Sequence, residues 1–107
     1  MTHRPVEEVT IGEFVRLGPN HGFRVVDVRE QEEWDEGRIQ EATLIPLSEF
    51  EERHGELDPT APTLLVCRSG RRSDAAAAYL RDRGFVRPVN LAGGMLAWEE
   101  AGLPVGR

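Results

Sequence analysis

Short apolar segments alternate with helical patterns along most of the chain, and this alternation restricts the fold more than any other feature. The segment TLLVC at residues 63–67 is continuously apolar after its first residue, so we predict a strand that is covered on both faces. The clearest helix follows at residues 73–84, SDAAAAYLRDRG, with Ser73 predicted as its N-cap and Gly84 just beyond its end. A buried strand followed by a helix is the repeating unit of a parallel α/β sheet.

The remaining segments continue the same alternation. Further strands are predicted at residues 6–10, 24–28, 43–46 and 86–91, the last with Pro88 at a sheet edge or a strand start. Further helices are predicted from a cap at Thr10 to Leu17, in the acidic segment 29–37, between a cap at Ser48 and a stop at Gly55, and at residues 93–102. This order predicts an α/β fold with a mainly parallel central sheet of about five strands and helices on both faces. The length of 107 residues predicts one domain, 1–107.

The composition excludes several functional classes. The chain carries 19 acidic and 13 basic residues, a formal net charge of -6, which argues against binding to nucleic acids or anionic membranes. It has no lysine, which excludes a Schiff-base or P-loop mechanism. A single cysteine cannot form an internal disulfide, so we expect a cytoplasmic protein. Because the apolar stretches are short, we expect neither a signal peptide nor a transmembrane helix. The histidines, His3, His21 and His54, lack the spacing of a zinc site, so no metal is expected.

The single cysteine, Cys67, lies where the buried strand is predicted to end. Sites of open α/β sheets form at the carboxyl ends of strands. The segment that follows contains Gly70, which can curl the loop so that several N–H groups face one centre, and Arg68, Arg71 and Arg72, which add positive charge. Together with the start of the next helix, these groups favour a thiolate, the nucleophilic form of cysteine. The alternative is an inert buried cysteine beside solvated arginines.

The motif CRSGRRS at residues 67–73 resembles the active-site loop of the single-domain rhodaneses, a family of sulfurtransferases. Three other segments resemble motifs of that family in the same order, VVDVREQEEWDEGRI at 25–39, ATLIPL at 42–47 and LAGGMLAWEEAGLPV at 91–105. The resemblance therefore covers roughly the whole chain and implies a rhodanese-like fold. One departure is Arg38, which stands where the family usually has histidine. We expect no loss of activity, because the family position is associated with packing near the loop.

The resemblance implies transfer of sulfane sulfur through a persulfide on Cys67, without a metal or cofactor. The donor is a small anion such as thiosulfate, and the acceptor is cyanide or a thiol. Backbone N–H groups and arginines are expected to hold the anionic sulfur and the donor. The loop residues assigned to this role are Arg68, Ser69, Gly70, Arg71, Arg72 and Ser73. We expect a monomer, with a sulfur-relay protein as a further partner.

Three other functions are alternatives to this sulfurtransferase reaction. Phosphatases and arsenate reductases of this fold need an arginine six residues after the cysteine, and here that position is Ser73, so sulfur transfer is favoured. A carrier that delivers persulfide sulfur to a partner protein uses the same chemistry and stays open. A non-catalytic binding module is disfavoured, because inactive relatives typically lack the cysteine.

Residues outside the loop are assigned supporting roles. The resemblance implies that Asp27 and Arg29 buttress the loop, whereas the simpler interpretation is an ordinary strand-end ion pair. Trp34 and Trp98 are predicted to pack in or near the core, with Trp98 also forming a wall of the site. The glycine pair at residues 93–94 predicts a tight turn and does not form a nucleotide-binding fingerprint.

Overall fold

The computed structural model describes residues 4–107, which form a five-stranded sheet with the strand order β1-β5-β4-β2-β3. All four neighbouring strand pairs are parallel. The strands are β1 (Glu7–Val9), β2 (Arg24–Asp27), β3 (Thr43–Leu44), β4 (Thr63–Val66) and β5 (Pro88–Leu91). The helices are α1 (Ile11–Leu17), α2 (Gln31–Glu36), α3 (Phe50–Arg53), α4 (Arg71–Asp82) and α5 (Gly94–Glu100). Short 3-10 turns, Leu47–Glu49 and His54–Glu56, flank α3.

Each face of the sheet has its own apolar core. One core contains Val9, Phe14, Phe23, Val25, Ile39, Leu64, Val66, Val89, Leu91, Met95 and Trp98. The other contains Val26, Val28, Ile45, Phe50, Leu65, Cys67, Ala76, Ala77, Leu80 and Phe85. The first core includes side chains from α1 and α5, and the second includes side chains from α3 and α4. The predicted α/β fold, with a parallel sheet between helices, is confirmed.

The central strand β4 divides its side chains between the two cores. Leu64 and Val66 belong to one core, whereas Leu65 and Cys67 belong to the other. Every residue of β4 is buried, as its continuously apolar sequence predicts. Cys67 directly follows β4 at the carboxyl end of the sheet, between the ends of β2 and β5.

Strand β5 lies inside the sheet, between β1 and β4. Pro88 is its first residue, so the strand-start interpretation is correct and the edge interpretation is wrong. A proline at this position is compatible with an internal strand because the first residue of a strand is one of the places where the missing N–H is tolerated.

The predicted helix caps are right at one helix and wrong at two. Thr10 caps α1 with a reciprocal pair of bonds to Glu13, at 3.1 and 2.8 Å. Ser48 lies inside the 3-10 turn Leu47–Glu49, and its hydroxyl donates to Glu30 Oε1 at 2.9 Å instead of capping α3. Ser73 lies inside α4, which begins at Arg71 after Gly70 as N-cap. In both wrong cases the serine hydroxyl bonds to a residue distant in sequence.

Within residues 4–107, no helix is both long enough and apolar enough to cross a membrane.

Candidate functional site

The cysteine loop is shorter than the sequence suggested. Cys67 ends the buried run, residues 68–70 form the turn, and α4 begins at Arg71 rather than at Ser73. Gly70 makes this tight turn with φ of 99°, in the left-handed region that glycine adopts readily. A Cβ on Gly70 would lie 3.3 Å from the nitrogen of Gly93, so the neighbouring turn also leaves little room for a side chain.

Hydrogen-bond donors converge on the sulfur of Cys67. The Gly70 N–H donates to Sγ at 3.1 Å, and the Ser73 Oγ lies 3.3 Å from the same atom. Burial raises the pKa of the Cys67 thiol, but bonds from the Ser73 hydroxyl and from the amides of Ser73, Gly70 and Ser69 outweigh it. The net effect is a thiol pKa below its ordinary value of 9.0. The predicted convergence of amide groups on this sulfur is confirmed.

The thiol is almost fully covered by the loop. Cys67 is 1 % exposed and packs in the core next to α4. A cleft of about 540 Å³ adjoins the loop and is lined in part by Arg68, Met95 and Leu96, but Cys67 is not among its lining residues. The bonds to Sγ therefore locate the chemistry better than this cleft does.

The three loop arginines have different environments. Arg68 and Arg71 are exposed, and within the described part of the chain neither makes a side-chain hydrogen bond or ion pair. Arg72 is half-buried and donates two bonds of 2.8 Å to the carboxylate of Glu33 on α2. This paired guanidinium lowers the pKa of Glu33 to about 2. Only two of the three arginines thus present free guanidinium groups at the rim.

Asp27 and Arg29 form a buried pair rather than a surface one. They are 0 % and 6 % exposed, and Arg29 Nη2 lies 2.8 Å from Asp27 Oδ2. Arg29 also donates to the carbonyl oxygens of Gly37 at 2.8 Å and Glu33 at 3.2 Å, which ties the end of β2 to α2. The simpler interpretation, a strand-end ion pair, is correct about the pairing, and the structure adds that the pair is buried. Arg29 reaches the loop only through Glu33 and its bond to Arg72.

The start of α5 packs directly on the cysteine loop. The N–H groups of Met95 and Leu96 donate to the carbonyl oxygens of Cys67 and Arg68, at 2.9 and 3.0 Å. A Cβ at Gly94 would overlap both carbonyl oxygens, since even the Arg68 oxygen would be only 2.7 Å away. The glycine pair makes the predicted turn, with positive φ at both residues. The glycine pair has a second role, because the missing Cβ of Gly94 lets α5 approach the loop closely. Apart from the pair itself, the sequence gives no sign of this role.

Asn90 is a site residue that the sequence analysis missed. It lies in β5, is 1 % exposed, and its Nδ2 donates to the carbonyl oxygen of Gly70 at 3.0 Å. Its Oδ1 accepts from the Ser73 hydroxyl at 2.5 Å, and its Nδ2 also donates to Glu8 Oε2 at 2.9 Å. The one sequence signal was a polar residue in an otherwise apolar strand, PVNL.

The contacts shown for the two tryptophans and Arg38 are with residues outside the cysteine loop. Trp98 is buried, and its indole N–H donates to the Pro104 carbonyl at 2.9 Å, which confirms core packing. Trp98 does not line the cleft beside the loop. The Arg38 guanidinium lies 4.7 Å from the ring centre of Trp34, and its backbone pairs with Gly106. The extra charge of Arg38 is thus placed over an aromatic face.

No group of three or more His, Cys, Asp or Glu side chains within residues 4–107 could hold a metal ion. His21 instead lies 2.9 Å from Glu41, and His54 lies 2.8 Å from the Glu51 carbonyl. His3 lies outside the described residues.

Comparison with known proteins gives consistent matches. The family model for the rhodanese-like domain matches residues 11–101. A sulfurtransferase of Allochromatium vinosum is 37% identical over 90 residues, which are 84% of each chain. The putative sulfur carrier protein YrkF of Bacillus subtilis is 33% identical over 94 residues, 87% of this chain and 51% of that protein. The crystal structure of a rhodanese-like domain protein from Staphylococcus aureus superposes with a TM-score of 0.83 at 31% identity, covering 95% of this chain and 100% of the other.

Proposed function

Because this chain belongs to the rhodanese-like sulfurtransferase family, we propose that Cys67 takes sulfane sulfur from thiosulfate and passes it to cyanide or a thiol. The observation that carries the proposal is the set of N–H and O–H donors around Sγ, with Gly70 N–H at 3.1 Å. These donors stabilise negative charge on sulfur, which both the thiolate and a persulfide require.

The first half of the reaction loads the protein. The Cys67 thiolate attacks the outer sulfur of thiosulfate, the sulfur–sulfur bond of thiosulfate breaks, and sulfite leaves with the bonding electron pair. Cys67 then carries a persulfide whose terminal sulfur is anionic. Arg68 and Arg71 are exposed in the turn and first helical residue after Cys67, and we expect them to supply positive charge for a dianionic donor. Because the thiol pKa is lowered, this step needs no separate general base.

The second half returns the protein to its starting state. An acceptor nucleophile attacks the terminal sulfur, the persulfide bond breaks, and the electron pair stays on Cys67 as the thiolate. Cyanide leaves as thiocyanate, and a thiol leaves as a persulfide. The hydrogen bonds to Sγ stabilise Cys67 as the leaving group.

The loop length disfavours phosphate chemistry. Only residues 68–70 separate Cys67 from α4, which leaves a cradle suited to one sulfur atom. The position six after the cysteine is Ser73, whose hydroxyl lies against the sulfur, and the nearby Arg72 is directed to Glu33. The arginine six residues after the cysteine, which phosphatases of this fold need, is thus absent.

Intact mass spectrometry tests the proposal directly. After exposure to thiosulfate, wild type is expected to gain one sulfur atom and to lose it again on addition of cyanide. The matched Cys67→Ser variant is expected to gain none, because serine cannot form a persulfide. A wild-type mass unchanged by thiosulfate would contradict thiosulfate as the donor.

A carrier role is the second candidate, favoured by the similarity to a protein named as a sulfur carrier. A carrier and an enzyme differ in which half-reaction is fast. If sulfur loaded on Cys67 passes rapidly to a protein dithiol such as thioredoxin but only slowly to cyanide, the carrier role is supported. Rapid multiple turnover with thiosulfate and cyanide would support the small-molecule enzyme.

A further inference from the structure

Asn90 contacts the cysteine loop from another part of the fold, strand β5. Its strand, β5, is otherwise apolar, with Val89 and Leu91 at 0 % exposure. A buried amide is costly unless all its hydrogen-bonding groups are satisfied. Asn90 meets this condition with three bonds to three different parts of the fold, and two of the three bonds end on the loop or on α4.

The orientation of the Asn90 amide is determined by its partners. Nδ2 faces two acceptors, the Gly70 carbonyl oxygen at 3.0 Å and Glu8 Oε2 at 2.9 Å. The reverse orientation would place Oδ1 against both of these oxygens, which cannot donate. Oδ1 must therefore face Ser73, and it is an acceptor only. Glu8 on β1 thus selects which atom of Asn90 meets the Ser73 hydroxyl.

The Ser73 hydroxyl has one hydrogen and two neighbouring acceptors. Asn90 Oδ1 lies 2.5 Å from Ser73 Oγ, and Cys67 Sγ lies 3.3 Å from it. With a neutral thiol, the hydrogen bonds to Asn90, and the thiol can donate to Ser73 Oγ. With a thiolate, Asn90 Oδ1 and Cys67 Sγ compete for this one hydrogen, and the bond to Asn90 is lost when the hydrogen turns to the sulfur.

The second link from Asn90 acts on the loop backbone. The Gly70 carbonyl that it binds belongs to the residue whose N–H donates to Sγ. The same carbonyl accepts the N–H of Asp74 at 3.2 Å in the first turn of α4. Asn90 therefore joins β5 to the turn that aims the Gly70 amide at the thiol.

We propose that Asn90 is a positioning residue for sulfur transfer, which holds the Gly70 turn against Cys67 and competes with the sulfur for the Ser73 hydrogen, in an orientation selected by Glu8. The inference rests on the proposed function, in that Cys67 is taken as the reacting thiol. Asn90 itself does not touch the sulfur, so its effect passes through Ser73 and Gly70.

The test is the thiol pKa of Asn90→Val, measured from the pH dependence of alkylation by iodoacetamide. Valine is favourable in a strand but can form neither the bond to Ser73 nor the bond to Gly70. In a Ser73→Ala background we expect Asn90→Val to raise the pKa by about one unit through the Gly70 turn, so that alkylation at a pH below the pKa slows about tenfold. With Ser73 present the rise is expected to be smaller, because the Ser73 hydroxyl released from Asn90 can then donate to the sulfur.

Thr63→Val is the matched control. Thr63 is also buried in the sheet at 1 %, and its hydroxyl bonds to the Ala61 carbonyl at the opposite end of β4. This variant loses a buried hydrogen bond and is expected to keep the wild-type thiol pKa. Asn90→Ala serves as a second variant that avoids crowding by valine.

The outcomes separate this inference from the proposed function, because alkylation needs no sulfur donor. In the Ser73→Ala background, a folded Asn90→Val or Asn90→Ala protein with the same thiol pKa as Ser73→Ala alone overturns the positioning role, as does unfolding of both variants. A raised pKa in a protein that takes no sulfur from thiosulfate supports the positioning role and contradicts the function. Normal sulfur loading in wild type together with an unshifted pKa in the variants supports the proposed function and contradicts the positioning role.

Discussion

The cysteine loop is supported from two sides by different chemistry. On the β2 side the support is ionic, running from the buried Asp27–Arg29 pair through Glu33 to Arg72. On the β5 side the groups that reach the loop are neutral, the Asn90 amide and the N–H groups at the start of α5. The ionic side ends at an arginine at the rim, whereas the neutral side ends at the groups that surround the sulfur.

This difference follows from what a thiolate tolerates. A carboxylate buried next to the Cys67 sulfur would oppose its ionisation and raise its pKa. A neutral amide can hold the Ser73 hydroxyl without adding charge. Positive charges are therefore useful at the rim of the loop, where they attract an anionic sulfur donor. A negative charge next to the Cys67 sulfur would be harmful.

The largest effect is expected from breaking the ionic side at its buried end. Arg29→Met leaves the Asp27 carboxylate buried without its partner, which is expected to cost about 3–5 kcal/mol in the free energy of unfolding. Denaturant titration measures this loss. Arg53→Met is the control, because Arg53 pairs with Glu49 and Glu56 at the surface. A comparable loss in both variants would show that burial does not distinguish the two pairs.

The next effect is expected from the neutral side, at the start of α5. Gly94→Ala brings a Cβ against the Cys67 and Arg68 carbonyl oxygens, and should cost about 1–3 kcal/mol more than Gly102→Ala. Both glycines have positive φ, at 54° and 72°, but no atom lies within 4 Å of a Cβ at Gly102. Sulfur loading from thiosulfate is expected to fall only in Gly94→Ala. Equal losses in stability would refute the close-approach argument.

The smallest effect is expected where the ionic side ends at the rim. Glu33→Gln weakens the pair with Arg72 and frees a third guanidinium for an anionic donor. The second-order rate of loading by thiosulfate is expected to rise about threefold at low salt and to return to the wild-type value in about 1 M salt. Stopped-flow or quenched mass measurements give this rate.

The control for that variant is Glu36→Gln, which removes the same charge from the same helix. Glu36 lines the cleft beside Arg68 but does not pair with Arg72. If both variants accelerate loading equally, general electrostatics explains the effect and the pairing of Arg72 does not matter.

The fold was largely predictable because burial leaves a periodic trace in sequence. Continuous apolarity identified β4, and the alternation of strands and helices indicated a parallel sheet with helices on both faces. The helix starts were less predictable. Serine is a good N-cap in isolation, yet Gly70 precedes α4 and the Ser73 hydroxyl bonds to Asn90, because a tertiary contact outweighs a local preference.

The candidate site was predictable only for those residues that are close to Cys67 in the sequence. Cys67, the glycine turn and the exposed arginines all lie within one short motif, and the groups of that motif that bond to the sulfur belong to Ser69, Gly70 and Ser73. The partners of that motif are distant in sequence. Glu33 is separated from Arg72 by 39 positions, and Asn90 from Ser73 by 17.

The sequence alone therefore determined the layered architecture, the place of the cysteine at the end of a buried strand, and the chemical character of its loop. Only the tertiary structure decided three contacts. Arg72 pairs with Glu33, the backbone at Gly94 packs against the carbonyl oxygens of the cysteine loop, and Asn90 accepts a hydrogen bond from Ser73. The physical reason is that hydrophobic periodicity encodes which face of an element is buried. It does not encode the strand order and register that set which polar groups meet across the sheet.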